Sequence, residues 1–499
     1  MTPNNNKIVL ITPPYEQISP GFEFVKHVTN RTPTLGLLHL AAEVRLHGYE
    51  PSIIESDVFD MSVDDVVAEV VRQNPRYVGI TLFTVGVWCG AEIARKVKNR
   101  LPEAIIIVGG PHISSMGPET MQRFLEFDYA VVGEGEEILV DLLQALENGG
   151  DLEKIDGLIY MAPGEFQHRC VVTPKRKVTK DMDRLPMPAW DLLPDFPRGF
   201  RPAAYDYPRM PVASIAASRG CPFHCKFCDT STFGASVRAY SAQRVFDIIV
   251  HLQKTYGVKH ILFVDDLFTA SRKRTTELCN LIIDNGLDIT WSCASRVDVV
   301  KKDLLGLMKK AGCWEISFGL ETGSDVMLKK MDKAASVERS EETLQWCADA
   351  GIRSKGLFML GYPGETLESI QQTKDFVRRV PLTLMHLTKF TPYPGSPIYH
   401  DLYGTKIRED HWQKMNGMNF VWTTPGLTRE QLNKKYIEIL SHFYRNPRIG
   451  WHYTKLSFQH PPHLFRIMKF LVLLLRAKLR KTFNSGSPPG QQVDLDAAT

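Results

Sequence analysis

Three of the nine cysteines in this 499-residue chain lie in one short segment, SRGCPFHCKFCD, with the spacing CxxxCxxC. Gly220 and Pro222 predict a loop there, in which the thiolates of Cys221, Cys225 and Cys228 can converge on one point. Thiolates bind zinc and iron–sulfur clusters, but zinc normally takes a fourth protein ligand, and no conventionally spaced pair lies nearby. The spacing therefore favours a 4Fe-4S cluster with one iron left open, and a zinc site or a chance grouping is the alternative.

Other potential ligands do not complete a zinc site. His224 lies inside the loop, and we expect it to face outward. An odd number of cysteines in a long chain also fits a reducing compartment. The other six cysteines are isolated, which is typical of small buried side chains. They are Cys89, Cys170, Cys279, Cys293, Cys313 and Cys347.

The composition is that of a multidomain globular protein. With 43% hydrophobic residues, the chain can bury large cores. Its 60 Lys and Arg residues nearly balance 56 Asp and Glu residues, and the net charge of +4 predicts no nucleic-acid partner. The N-terminal segment MTPNNNKIVLITPPY lacks the basic start and the longer apolar run of a secretory signal. We therefore expect a cytoplasmic protein.

Residues 1–149 alternate short β-branched runs, such as KIVLIT and AIIIVGG, with segments of helical periodicity. This pattern predicts an α/β fold with a doubly wound, Rossmann-like parallel sheet, in which ligands bind beyond the carboxyl ends of the strands. Small residues at these ends are candidate cofactor-binding positions, although tight strand-to-helix turns explain glycines equally well. They are Thr81, Gly109, Gly110, Gly133 and Gly135.

The rest of the chain divides into four segments. Residues 150–208 are rich in proline and predict a linker that packs on its neighbours. Residues 209–400 repeat the βα pattern, which predicts a partial TIM-type β/α barrel with reactive groups at the carboxyl ends of its strands. Residues 401–482 predict a helical C-terminal cap, and residues 483–499 predict a disordered tail.

The cysteine loop, with the aromatic Phe227 inside it and a barrel strand before it, resembles the radical S-adenosylmethionine (SAM) superfamily. The resemblance implies that the three cysteines hold a 4Fe-4S cluster whose open iron binds the amino and carboxylate groups of SAM. It implies that reduction of the cluster cleaves SAM to methionine and a 5′-deoxyadenosyl radical, which abstracts hydrogen from a substrate. An external reductant such as flavodoxin or ferredoxin then supplies the electron.

Further stretches resemble cofactor-binding elements of the same family. FVDDLFT implies that Asp265 or Asp266 holds the methionine amino group, and SFGLETGS implies that Glu321 contacts the polar part of the cofactor. A carboxylate at a strand end is, however, often only a helix N-cap. The other candidates are the strand-end pair Ser295 and Arg296, where the arginine alternatively forms a structural ion pair, and the glycines of GLFMLGYPGET, Gly361 and Gly364.

The first domain resembles the cobalamin-binding class of this superfamily, and the likeness spans residues 7 to 400. It rests on TPPY, PTLGLLHLAA, Thr81, IVGGPH and VVGEGE in that order. The resemblance implies a cobalamin over the strand ends that faces the barrel. The chain lacks DxHxxG, the element whose histidine binds cobalt in many cobalamin proteins, so we expect no lower histidine ligand. His112 is interpreted as a turn histidine satisfied by neighbouring backbone.

The segment LFRIMKFLVLLLRAKLRK places basic residues on one helical stripe among apolar residues. Its uncharged run is far shorter than the roughly 20 residues that span a bilayer. Residues 463–481 therefore predict a basic amphipathic helix, which lies peripherally on a membrane, docks on the protein itself or forms a dimer contact.

The leading hypothesis is a cobalamin-dependent radical SAM enzyme that methylates or oxidatively modifies an unactivated carbon of a small, and in one interpretation lipid-like, substrate. One alternative is a transfer-RNA methylthiotransferase, but that class has three further N-terminal cysteines, and only Cys89 and Cys170 precede the loop here. The other alternative is a non-catalytic iron–sulfur electron carrier. The sequence does not identify the substrate.

Overall fold

The computed structural model describes residues 5–15, 30–163, 169–203 and 205–459, and the single residues 461, 465 and 468. A seven-stranded sheet forms the first domain, in the order β2-β1-β3-β4-β5-β6-β7. Strands β1 to β5 are parallel, and β6 and β7 continue the sheet antiparallel. The strands are β1 (Lys7–Thr12), β2 (Glu50–Glu55), β3 (Tyr77–Thr81), β4 (Ile105–Gly109), β5 (Tyr129–Val131), β6 (Leu158–Ala162) and β7 (Arg169–Val172).

Helices cover both faces of this sheet, because its strands are apolar on both sides. Strand β1 is buried from its second residue to its last. The predicted doubly wound fold is confirmed. The helices are α1 (Leu35–Leu46), α2 (Val63–Gln73), α3 (Val87–Arg100), α4 (Pro111–Arg123) and α5 (Gly135–Asn148).

The first sheet extends beyond the predicted boundary at residue 149. Strands β6 and β7 lie in the segment that was predicted as a linker, and they pair antiparallel with each other and with β5. Short two-residue-period runs between prolines form strands here because they add to an existing sheet edge.

The second sheet has six parallel strands in the order β15-β14-β13-β12-β11-β8, which is a partial barrel as predicted. A separate antiparallel pair, β9 and β10, flanks the cysteine loop. The strands are β8 (Val212–Ile215), β9 (Ser218–Arg219), β10 (Arg238–Ala239), β11 (His260–Phe263), β12 (Thr290–Ser295), β13 (Cys313–Glu321), β14 (Arg353–Leu360) and β15 (Leu384–Lys389).

Helices on the outside of the barrel alternate with these strands and bury their apolar faces against them. They are α6 (Ala242–Tyr256), α7 (Arg272–Asp284), α8 (Lys302–Lys310), α9 (Asp325–Lys330), α10 (Val337–Asp349) and α11 (Leu367–Arg379).

The C-terminal region is helical, as predicted. Most of the predicted amphipathic helix, 463–481, and the whole predicted tail, 483–499, lie outside the described residues. Within the part of the chain that the structure describes, no helix has the length and apolarity to cross a membrane. The helices are α12 (Pro397–Tyr403), α13 (Glu409–Trp412), α14 (Arg429–Tyr444) and α15 (Pro447–Gln459).

Candidate active site between the two sheets

A cavity of about 910 Å³ lies between the two sheets. This volume is at the upper end of the range for small-molecule sites, roughly 300–1,000 Å³. The carboxyl ends of the first sheet form one side, which we call the first-domain wall, and it contains all five predicted positions: Thr81, Gly109, Gly110, Gly133 and Gly135. The start of the barrel forms the opposite side, the barrel wall, with Arg219, Cys221, Cys228 and Asp266.

The first-domain wall is shaped by glycine backbone. Gly110 has a φ of +95°, and a Cβ there would lie 2.7 Å from Oγ1 of Thr81 and 2.9 Å from the amide nitrogen of Leu82. Gly133 has a φ of +84°, and a Cβ there would have no atom closer than 3.7 Å. Side chains are thus excluded at Gly110 by the fold, and at Gly133 their absence leaves open space. This bare backbone cradle fits a large flat cofactor such as the corrin ring of cobalamin.

The cysteine loop on the barrel wall is held at several backbone positions. The carboxylate of Asp265 accepts hydrogen bonds from the amide of Ala217, at 3.0 Å, and from the Ser218 hydroxyl. The neighbouring carboxylate of Asp266 accepts one from the amide of Gly220 at 3.1 Å. Farther along, the Lys226 amide donates to the carbonyl oxygen of Met331 at 3.0 Å. These bonds fix the backbone from which the three cysteines project.

The three cysteines differ in their surroundings. Cys225 is buried, whereas Cys221 and Cys228 line the cavity. Of the three, Cys228 is the exposed one. Burial, and then the charges of Cys225 and Cys221, raise the pKa of Cys228 to about 12. Iron cations reverse this balance, because a metal-bound thiol loses its proton.

The spacing of the three thiols bears on whether the loop suits one metal ion or a cluster. Among the residues that the structure describes, no three His, Cys, Asp or Glu side chains are close enough to hold a single metal ion. A 4Fe-4S cube binds each thiolate at a different iron, so its ligands surround a larger volume than one ion needs. The exposed His224 does not join the cysteines, as expected. Two thiols that line the cavity and a third that lies buried on the same loop therefore fit a cluster.

An arginine approaches the buried thiol of the loop. Nη1 of Arg296 lies 3.4 Å from Sγ of Cys225, and its guanidinium group lies 3.7 Å from the centre of the Phe223 ring. Nε and Nη2 of Arg296 donate to the carboxylate of Asp298 at 3.0 and 2.9 Å. Arg296 is therefore both the predicted neighbour of the site and a member of a structural ion pair.

Several predicted residues lie behind the cavity surface. Asp265 is buried and shares its oxygens with the loop backbone, and burial raises its pKa to about 6. Asp265 therefore positions the loop, and of the two aspartates only Asp266 lines the cavity. The buried hydroxyl of Ser295 hydrogen-bonds the hydroxyl of Thr269.

Glu321, Gly361 and Gly364 also lie outside the cavity lining. The carboxylate of Glu321 accepts a hydrogen bond from Nζ of Lys333 at 2.5 Å, and Nζ lies 5.8 Å from the centre of the Phe227 ring. The amide of Gly361 donates to the carboxylate of Glu365, and the carbonyl oxygen of Gly364 accepts from Nζ of Lys330 at 2.9 Å. Their predicted roles toward SAM stay predictions.

A charge network that the sequence analysis missed joins the two walls. Arg219 donates to Glu134 at 2.7 Å and to Glu136 at 2.5 Å, and Arg238 also donates to Glu134. All four side chains are nearly buried. Burial, the largest single influence, raises the pKa of Glu136, but the charge and hydrogen bond of Arg219, together with the charge of protonated His39, hold this pKa below its usual value. The sequence signal that could have indicated this network is the opposite charge of SRGC, with Arg219, and VVGEGE, with Glu134 and Glu136.

His112 has both ring nitrogens engaged. Nδ1 lies 3.1 Å from Oγ1 of Thr84, and Nε2 lies 3.0 Å from Oγ1 of Thr120. Burial lowers the pKa of His112 to about 3. The side chain is satisfied within the fold, by threonine hydroxyls rather than by backbone.

A backbone cradle on one wall and a three-thiol loop on the other define an iron–sulfur enzyme with a second cofactor domain. A family model described as a B12 binding domain matches residues 24–143, and one described as the radical SAM superfamily matches residues 215–377. An uncharacterized methyltransferase of Pyrococcus horikoshii is 31% identical over 473 residues, which cover 94% of this chain and 98% of the relative. An anaerobic magnesium-protoporphyrin IX monomethyl ester cyclase of Rubrivivax gelatinosus is 26% identical over 446 residues, which cover 88% of this chain and 78% of the relative.

Solved structures share the fold. The radical SAM methyltransferase TsrM of Kitasatospora setae, with cobalamin and a [4Fe-4S] cluster bound, has a TM-score of 0.67 at 17% identity, with 88% of each chain covered. The cobalamin-dependent radical enzyme OxsB, with aqua-cobalamin and SAM bound, has a TM-score of 0.63 at 18% identity, with 87% of this chain and 61% of that chain covered.

This chain therefore belongs to the radical SAM superfamily, in the class with a B12-binding domain. It is an enzyme of the methyltransferase and cyclase kind. Its cofactors are a 4Fe-4S cluster, SAM and cobalamin.

Proposed function

We propose that this enzyme methylates an unactivated carbon of a small-molecule substrate. The observation that carries the proposal is the shared cavity, because Cys221 and Cys228 of the three-thiol loop and the glycine cradle line one volume. Methyl transfer is favoured over oxidative cyclisation by the 31% identical relative, which is described as a methyltransferase.

The residues have separate roles in this proposal. Cys221, Cys225 and Cys228 hold the cluster, and the backbone at Gly110 and Gly133 lets the corrin ring approach the first-domain wall. When bound, the cluster supplies an electron for SAM cleavage, and cobalamin supplies a metal that carries a methyl group. The carboxylate of Asp266 lines the cavity beside the loop and is the candidate acceptor for the SAM amino group.

The remaining lining of the cavity is mostly apolar, which suits chemistry that water would intercept. Leu35 and Leu40 lie on the first-domain side, and Val85 and Phe83 follow the third strand. Tyr393 and Pro394 close the barrel side after its last strand. These side chains leave few sites for ordered water.

The test is anaerobic incubation of the reconstituted protein with SAM, reduced flavodoxin or ferredoxin, and a cell extract, followed by mass spectrometry. Formation of 5′-deoxyadenosine together with S-adenosylhomocysteine and a methylated product supports methylation. Deoxyadenosine without S-adenosylhomocysteine contradicts methylation and indicates oxidation or rearrangement. The Cys225→Ala variant is the control, and it should form neither nucleoside.

We also propose that the C-terminal region contacts a membrane peripherally, which would suit a lipid-like substrate. On α15 the side chains of Trp451 and Phe458 are 71% and 79% exposed, and Ile449 and Leu456 on the opposite face are buried. Between Glu438 and Asp494 the sequence contains no acidic residue. Exposed aromatic residues in a basic segment are typical of interfacial helices.

Sedimentation with anionic liposomes tests this contact. We expect the double substitution W451S/F458S, and deletion of residues 463–481, to reduce the sedimented fraction. Ile437→Ser is the matched control, because Ile437 is 62% exposed on the neighbouring helix α14. Unchanged sedimentation of both variants would contradict membrane contact.

A further inference from the structure

Two buried polar atoms in the cavity wall have no hydrogen-bond partner among the described residues. They are Oη of Tyr15 and Nδ1 of His39. Both side chains line the cavity, and both belong to the first domain. Other described side chains away from the cavity, such as Tyr77, also have such atoms, but Tyr15 and His39 line the cavity, where a bound ligand can supply the partner that buried polar groups usually have.

His39 lies on α1, with only 4% of its surface exposed. Burial, and then the positive charge of Arg219, lower the pKa of His39 to about 4, while the charge of Glu136 acts in the opposite direction. The imidazole is therefore neutral at pH 7 and carries one N–H donor and one lone pair. A neutral group of this kind matches a neutral ligand group better than an anion.

Tyr15 follows β1 at the end of the TPPY segment. Its ring lies edge-on to the ring of Phe83, with 6.2 Å between the ring centres. A Cβ added to Gly86 would lie 2.6 Å from Cε1 of Tyr15, so the glycine makes room for the ring. Burial, and then the charges of Asp57 and Glu55, raise the pKa of Tyr15 far above its usual range. The hydroxyl therefore keeps its proton and can donate.

We propose that Tyr15 and His39 hydrogen-bond carboxamide groups at the periphery of the bound corrinoid and so fix its orientation in the cavity. A carboxamide is neutral and offers both a donor and an acceptor, which complements a phenol hydroxyl and a neutral imidazole. The guanidinium group of Arg219, whose charge acts on His39, is already paired with Glu134 and Glu136. This inference rests on cobalamin binding in the proposed site.

Spectral titration of the full-length protein with hydroxocobalamin tests the inference without an activity measurement. We expect Tyr15→Phe and His39→Leu each to weaken binding about 5- to 10-fold, which is the scale of one lost hydrogen bond. His39→Gln keeps a neutral polar group and should recover part of the loss. Tyr77→Phe is the control, because Tyr77 is a buried tyrosine outside the cavity wall, and it should bind as the parent does. Thermal unfolding of each variant checks that it folds.

Two further corrinoids identify the group that is recognised. Cobinamide keeps the ring carboxamides but lacks the nucleotide tail, and the variants should show the same losses with it. A corrinoid whose carboxamides are replaced by carboxylates should bind parent and variants equally.

Equal hydroxocobalamin affinity in parent, Tyr15→Phe and His39→Leu would overturn the inference and leave cobalamin binding intact. A parent protein that binds no corrinoid would instead overturn the proposed function. Losses seen with hydroxocobalamin but absent with cobinamide would overturn the assignment to ring carboxamides.

Discussion

The two walls of the cavity occupy equivalent positions, at the carboxyl ends of parallel strands, and they present different chemistry. The first-domain wall offers glycine backbone, neutral side chains such as His39, and the carboxylates of Glu134 and Glu136, which are paired with Arg219 of the barrel wall. The barrel wall offers thiols, the carboxylate of Asp266 and the guanidinium group of Arg219. The topology places both ligand sites at strand ends. The residue types decide which ligand each wall suits: the glycine cradle suits a large organic cofactor, and the cysteine loop suits a metal cluster and charged groups.

The contacts that join the two walls also differ from the contacts within each wall. Within each wall the positions are set by contacts inside one domain, such as that of Asp266 with Gly220. Across the cavity, the buried pairing of Arg219 with Glu134 and Glu136 ties the loop after β5 to strand β9. Substitutions on one wall should therefore leave the other intact, except at this network.

The largest effect is expected on the barrel wall. Cys225→Ala removes the buried thiol of the loop, so the iron content after anaerobic reconstitution should fall from about four per chain to nearly none. Cobalamin binding by the first domain should persist. Iron analysis and cobalamin titration of the same preparation measure both, and Cys170→Ala, an isolated cysteine on β7, is the control. Four irons retained in Cys225→Ala would contradict the assignment.

The network between the walls should give the next effect. Arg219→Gln leaves Glu136 buried without its partner and Glu134 paired with Arg238 alone, which should cost about 3–5 kcal/mol of unfolding free energy. In contrast, Arg209→Gln breaks a more exposed pair with Asp288 and should cost about 0–1 kcal/mol. Chemical denaturation measures both.

The pH dependence gives a second readout for Arg219→Gln. The folded pKa of Glu136 is below its usual value, so its contribution is present above about pH 4.5 and is lost as the pH falls through the folded pKa. Without Arg219 this pKa should rise, and acidification from neutral pH should stabilise the variant relative to the parent. A difference between the two that does not change with pH would show that Glu136 is not the affected group.

The first-domain wall should respond to steric change. Gly110→Ala places a Cβ against Thr81 and Leu82 at a φ of +95°, which should cost about 2–4 kcal/mol and weaken cobalamin binding. Iron content should stay at about four per chain, because the barrel wall is unaffected. Gly149→Ala is the matched control, because its φ is +69° and a Cβ there meets no atom within 4 Å. Equal destabilisation of the two variants would show that backbone strain alone acts at Gly110.

The sequence predicted the walls better than the links between them. Alternating periodicity placed Thr81 and the four glycines of the first-domain wall at strand ends, and cysteine spacing located the loop. Local patterns did not separate Asp265 from Asp266, since adjacent residues point in different directions and only the packed loop decides which one is buried. The Arg219 network joins residues about eighty positions apart, a pairing that no local pattern encodes.

The smallest effect is expected behind the barrel wall, at Glu365, whose carboxylate accepts the hydrogen bond of the Gly361 amide. Burial raises the pKa of Glu365 to about 7, so the folded state keeps a proton that the unfolded state releases above about pH 4.5. The contribution of Glu365 to the free energy of unfolding is therefore present at low pH and is lost as the pH rises toward 7. Glu365→Gln keeps the group neutral and should reduce this loss by about 1–2 kcal/mol between pH 5 and 8. Asp265, whose pKa is about 6, should maintain a residual slope of the same sign. Urea denaturation across this range measures the slope, with the exposed Glu368→Gln as control, and an unchanged slope in Glu365→Gln would place the proton elsewhere.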